Sequence, residues 1–142
     1  MLRGPKQVLN MFLEQSRKPL ITKPILLNEM IEVIVEVAAP ERIILFGSQA
    51  RGTARPHSDY DFLIVDSQTF GKNHSRRQLA GKIWRSLRPF DVSVDLLLYN
   101  KEEVDYLSQS LNHVVSCALR EGKVMYELRR NLPLHARYKP ST

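Results

Sequence analysis

The chain of 142 residues has one cysteine and one tryptophan. No apolar run approaches the roughly 20 residues that a membrane-spanning helix needs. A lone thiol, Cys117, excludes an internal disulfide and any cysteine-based metal cluster. Set among Val114, Val115, Ala118 and Leu119, it reads as a buried structural thiol. The basic start, Met1 to Lys6, is not followed by an uninterrupted apolar segment, so no secretory leader is expected. A cytoplasmic protein without a membrane association is the expectation. The four histidines, His57, His74, His113 and His135, are dispersed without metal-ligand spacing and are assigned surface roles. Only His57 stands out, because it lies in the loop before Asp59. There are no internal repeats and no low-complexity segments.

What is present is charge, and its placement matters. The net charge is +6. Residues 1–23 and residues 129–142 each carry +4, which leaves 24–128 at −2. The basic excess therefore sits in the two ends, which reads as solvated tails more readily than as a nucleic-acid surface. The expected organisation is a basic N-terminal extension over 1–23, one domain over 24–128 and a basic C-terminal tail over 129–142. A short apolar patch, Val8, Leu9, Phe12 and Leu13, suggests a helical turn or two within the extension.

Inside the central domain the periodicity alternates between helix and strand. Leu27, Met30, Ile31, Ile34, Val37 and Ala38 recur at helical spacing opposite Glu29, Glu32 and Glu36, and Pro40 stops the helix. Arg42–Phe46 is a short β-branched and aromatic run ending at Gly47, a buried strand. Ser48–Arg51 starts a helix, and Thr53–Ser58 is loop. Tyr60–Val65 is a second strand and Asp66–Asn73 a polar connection. Ser75 caps a helix with an apolar stripe of Leu79, Ile83, Trp84 and Leu87, which places Trp84 in the core, and Pro89 ends it. Val92–Tyr99 is a third strand. Asn100 and Glu103 resemble a capping box opening one helix that continues to a C-cap at Gly122. Val124–Tyr126 adds a last strand. The fold class is α/β or α+β, a small mixed sheet flanked by helices.

The residues that carry chemistry are Gly47-Ser48, then ten intervening residues, then Asp59-Tyr60-Asp61, with Asp95 on the following strand. Residues two apart on a strand project to one face, so Asp59 and Asp61 point together. Asp91 and Asp95 share a face of the third strand. If the second and third strands are neighbours, Asp95 comes beside the pair. Two unit charges about 5 Å apart at an effective dielectric near 20 repel by roughly 3 kcal/mol. That is a large part of a domain's stability of about 5–15 kcal/mol. A divalent cation removes the difficulty, and hard oxygen ligands favour Mg²⁺ or Mn²⁺. Two such ions would stabilise the attacking and leaving oxygens of an in-line displacement.

On the phosphate side, Gly47 turns the backbone tightly and the N–H groups at Ser48, with its hydroxyl, form an anion site. Arg51 adds a charge-assisted bond to a phosphate oxygen. The Gly-Lys-Ser/Thr ending of a Walker A loop is absent. A fixed Gly-Ser-x10-Asp-x-Asp arises by chance in roughly one chain of this length per thousand. An anion site beside a carboxylate-metal site fits a metal-bound nucleoside triphosphate.

Gly47-Ser48-Gln49-Ala50-Arg51-Gly52 followed by Ser58-Asp59-Tyr60-Asp61-Phe62 resembles the signature of the DNA polymerase β-type nucleotidyltransferase superfamily, and most of all its minimal nucleotidyltransferase branch. The resemblance spans about residues 26–127. It implies the corresponding fold, a metal role for Asp59, Asp61 and Asp95, and triphosphate binding at Gly47 and Ser48, with ATP or another NTP as substrate. It also implies that Asp95 holds the metal that activates the attacking hydroxyl. Asp95 fits the family's apolar-Asp-apolar pattern better than Asp91. In this branch the resemblance further implies a HEPN-type toxin as partner, so that the chain would be an antitoxin adenylylating a tyrosine of the toxin.

Larger relatives carry a second domain for the acceptor. With no room for one here, the acceptor surface is expected from a partner protein or a homo-oligomer. Three other readings compete: a non-catalytic module that neutralises a partner by binding, a small-molecule transferase of the aminoglycoside type, and nucleic-acid binding through the tails. The intact acid set argues against the first, and the mildly acidic centre makes the last the weakest.

Overall fold

The computed structural model describes residues 23–129. Residues 1–22 and 130–142, which hold the apolar patch at Val8–Leu13, His135 and all of the two basic ends but Lys23 and Arg129, lie outside the described residues. Helix α1 spans Lys23–Ala38. Its Leu27, Met30, Ile31 and Ile34 are buried while Glu29, Glu32 and Glu36 face solvent. The residue before a proline avoids the helical region. Ala39 accordingly turns left-handed at φ 43 and closes the helix on Val35.

Strand β1 (Arg42–Phe46) leads into the five-residue helix α2 (Gly47–Arg51), and β2 spans Tyr60–Asp66. Helix α3 (Arg76–Leu87) starts at Ser75, whose hydroxyl accepts from Gln78 N, and runs into a 3-10 turn at Arg88–Phe90. Strand β3 is Val94–Asn100, and β4 is Lys123–Glu127. The four strands form one mixed sheet in the order β3-β2-β1-β4. β1 is antiparallel to both neighbours, and β2 and β3 are parallel. A parallel pair needs a long crossover, and α3 supplies it.

Both faces of the sheet are covered. Met30, Ile34, Ile83 and Leu87 pack on one, against Ile43, Leu45, Phe62 and Ile64. Val104, Val115 and Ala118 pack on the other, against Ile44, Leu63 and Val65. Strands β1 and β2 are therefore apolar on both sides, which is why they read as continuous runs without alternation.

Five expectations are corrected. The helix expected from Asn100 to Gly122 is two: α4 (Lys101–Leu107) and α5 (Val114–Glu121). The polar run Ser108–Asn112 breaks it, and His113 restarts it by accepting from Val115 N through Nδ1 at 3.1 Å. His113 is thus a capping residue and not a surface accessory, and Leu111 in the turn is exposed. Gly122 is the C-cap of α5, as expected, with an extended backbone and its N–H donating to Ala118 O. It is glycine because a Cβ there would collide with the Ala118 carbonyl and Ile44. Trp84 is half exposed, because it lies one residue, about 100°, round the helix from Ile83. Cys117 is only half-buried, with an Arg120 guanidinium 3.5 Å from its sulfur. His74 also departs from a plain surface role. Its Nε2 lies 2.7 Å from the buried Asp66 carboxylate.

The capping box at α4 is present as expected. Asn100 Oδ1 accepts from Glu103 N at 2.8 Å, and Glu103 Oε1 accepts from Asn100 N at 3.0 Å. Asn100 is buried at the end of β3. Asn100→Ala removes an acceptor inside the fold and is expected to cost about 1–2 kcal/mol. A lowered urea midpoint with an unchanged slope would check it.

Candidate active site

On the α4/α5 face, the apolar residues of β2 and β3 give way to acids at the ends where the two strands begin. Leu63 and Val65 are followed toward the strand start by Asp61, and Asp59 lies one residue outside the strand. Tyr60 between them turns to the other face, where it is buried, and burial pushes its phenol above the ordinary 10.0. The parallel ladder pairs Asp61 with Asp95, side by side on one face. It begins one step earlier, with Tyr60 N donating to Ser93 O at 2.9 Å.

The neighbours of Asp61 act on its protonation. Burial raises the pKa of Asp61 above the ordinary 3.8, and the charges of Asp95 and then Asp59 raise it further, as does a side-chain hydrogen bond with Asp95. Two carboxyl groups can share a hydrogen bond only if one keeps a proton. The Arg51 charge acts in the opposite direction.

The phosphate side stands against this cluster. In the antiparallel pairing of β1 with β2, Phe46 faces Asp61, so the next residue, Gly47, meets the Asp61 carboxylate. A Cβ at Gly47 would overlap Asp61 Oδ2, and the backbone there is left-handed at φ 70. Both requirements select glycine. No side chain caps α2 at its start, so its first N–H groups have no side-chain acceptor. Ser48 is half-buried there. Arg51 sits at the other end of α2, 3.7 Å from Glu121. Both side chains are about half exposed, and such a pair contributes little, so the guanidinium can exchange one anion for another.

The loop that delivers Asp59 is tied to α2. Gln49 Nε2 donates to Ser58 O at 3.2 Å, and Ser58 Oγ accepts from Arg55 N at 2.7 Å. Sequence reasoning missed Gln49 and Glu121, although Gln49 lies inside the Gly-Ser segment. Asp91 is set apart from Asp95. It precedes β3 in a left-handed conformation at φ 52, so its strand parity with Asp95 does not apply. His57 is exposed in the loop.

The donor set, hard carboxylate oxygens beside a glycine turn, is chemically suited to a magnesium-like cation. Asp61 and Asp95 are in contact, and Asp59 is exposed within electrostatic reach. Among the described residues no three such side chains are already gathered in a metal-holding arrangement. No helix among them is long and apolar enough to cross a membrane.

The mixed sheet thus carries a Gly-Ser turn after its first strand and paired acids on the next two. The family model of the nucleotidyltransferase domain matches residues 27–117, and the chain belongs to that family. No curated protein matches it. Among solved structures, a toxin–antitoxin complex with AMP-PNP is similar at 24% identity, covering 73% of this chain and 76% of that one, with a TM-score of 0.48. A candidate nucleotidyltransferase from Sulfolobus solfataricus is similar at 18% identity over 94% of this chain and 98% of that one, also at 0.48. A double-aspartate mutant of the MntA–HpeT toxin–antitoxin complex is similar at 21% identity, covering 73% and 76%, at 0.43.

Proposed function

We propose that this nucleotidyltransferase moves AMP from ATP to a hydroxyl of a partner protein, as the antitoxin of a toxin–antitoxin pair with a HEPN-type toxin. The observation that carries the transfer reading is the contact of Asp61 with Asp95 directly against the Gly47 turn. The amides at Gly47 and Ser48 receive the phosphate oxygens, and Arg51 leaves Glu121 to join them. Asp59, Asp61 and Asp95 are the residues that would hold Mg²⁺. Bound there, the cation would neutralise charge on the triphosphate and lower the pKa of an attacking oxygen. The acceptor oxygen forms a bond to the α-phosphorus as the bond to the β-phosphate oxygen breaks, and pyrophosphate leaves. Asp95, exposed at the rim, would receive the hydroxyl proton.

A protein acceptor is supported by the exposed apolar side chains around the α4–α5 turn. Tyr106 is 75% and Leu111 74% exposed, with Val114 beside them. α4 and α5 cover the same sheet face that carries the acids, and such side chains suit a protein contact. To test the reading, the full chain is incubated with α-labelled ATP, Mg²⁺ and the product of the adjacent gene. Label is expected on that product, and none with an Asp59→Asn, Asp61→Asn double variant. Equal labelling by the double variant would sink the proposal. Neutralisation of the partner without any labelling would favour stoichiometric binding.

A further inference from the structure

The acidic balance of residues 24–128 hides a segregation of charge that only the helix geometry displays. On α3 and the turn that continues it, Arg77, Gly81, Trp84, Arg85 and Arg88 recur at i, i+4, i+7, i+8 and i+11, one continuous stripe. The opposite stripe, with Ala80, Ile83 and Leu87, packs into the core. Residues 76–88 contain no acid. Among the described residues none of Arg77, Arg85 and Arg88 forms an ion pair. Arg88 lies over the Trp84 ring, 5.1 Å from its centroid. Beside them is a groove of about 350 Å³, between Trp84, Leu87 and Arg88 on the helix side and Asp91 to Val94 on the other, with Asp91 the one acid in its lining.

Arg85 and Arg88 are like charges at i, i+3 that gain nothing from each other, and a half-exposed indole forgoes burial. The stripe therefore has little structural purpose and suits a ligand. We propose that it is a binding surface for single-stranded nucleic acid. The arginines take the phosphates, and a base stacks on Trp84 in the groove. An acidic peptide would satisfy the arginines but leave the flat ring and the groove without a role, whereas every base has a π face. The surface is separate from the transfer site. Val94 borders the groove, and Asp95, the next residue, points to the opposite face of the sheet. The inference stands whether or not the transfer reading does.

Trp84 is the only tryptophan in the chain, so its fluorescence reports the stacking directly. The full chain is titrated in EDTA at low salt with single-stranded RNA and DNA 10-mers, with a duplex and with poly-glutamate. Saturable quenching by the single strands is expected, with affinity falling as salt rises. The variant Arg77→Glu, Arg85→Glu, Arg88→Glu should weaken binding at least tenfold and flatten the salt slope by about 2. Trp84→Ala should weaken it about tenfold, and Trp84→Phe, which keeps a ring, far less. Thermal unfolding of these surface variants should match the parent. Binding without quenching and unmoved by the triple reversal would overturn the proposal, since the basic ends would then hold the strand. Tighter binding of poly-glutamate would also overturn it, in favour of an acidic protein partner.

Discussion

Asp61→Asn should make the metal-free protein more stable and at the same time abolish transfer. The carboxylate is held beside Asp95 and near Asp59 in a partly buried position, and every one of these influences favours its protonated form. A raised folded-state pKa means that proton binding favours the fold. That contribution is complete below the ordinary value of 3.8 and is lost as pH rises through the folded value. At neutral pH the wild type therefore carries the cost of an ionised Asp61. Asparagine keeps the shape and can still donate to Asp95, but carries no charge. A gain of about 0.5–2 kcal/mol is expected at pH 7 in EDTA, and none near pH 3. Transfer should fall by about 10³-fold or more. Thermal unfolding at both pH values, beside a transfer assay, checks both halves. A destabilised variant at pH 7 would show that the acid cluster is a structural device.

Gly47→Ala has the second large effect, and it damages both properties. A residue with a Cβ pays about 1–3 kcal/mol for the left-handed backbone at this position. The new methyl also displaces the Asp61 carboxylate. A shift of about 1 Å at a reacting centre costs on the order of 100-fold in rate. Unfolding and transfer measurements should both register the change. A double variant with Asp61→Ala separates the two causes. If the collision matters, the pair loses less stability than the single changes summed. Strict additivity would assign the whole effect to the backbone.

The strands that build the site were legible because they are buried on both faces. Ile43–Leu45 and Phe62–Val65 leave a continuous apolar run whatever their neighbours are. The glycine turn was legible for a local reason too, since a glycine directly after a strand marks a tight bend. Asn100 and Glu103 act over three residues, and their capping box follows from spacing alone. The errors came from periodicity carried too far. Leu107, Leu111 and Val114 keep a helical rhythm across a turn that Ser108–Asn112 prefer, and nothing local says which tendency wins. Trp84 was placed inside by the same rhythm, because apolar spacing cannot distinguish the centre of a buried stripe from its margin.

What the chain determines by itself is which residues are available for the chemistry: a glycine turn, three aspartates with hard oxygen donors, and the helices and strands that carry them. Which acids meet was decided only by the tertiary structure. Asp95 stands beside Asp61 because a parallel pairing across the α3 crossover sets the register of strands more than thirty residues apart. A shift of that register by one residue would have turned Asp95 to the opposite face. The same holds for the arginines beside Trp84. Their net charge is readable in the sequence, but their gathering on one exposed stripe exists only once the other side of the helix is packed into the core.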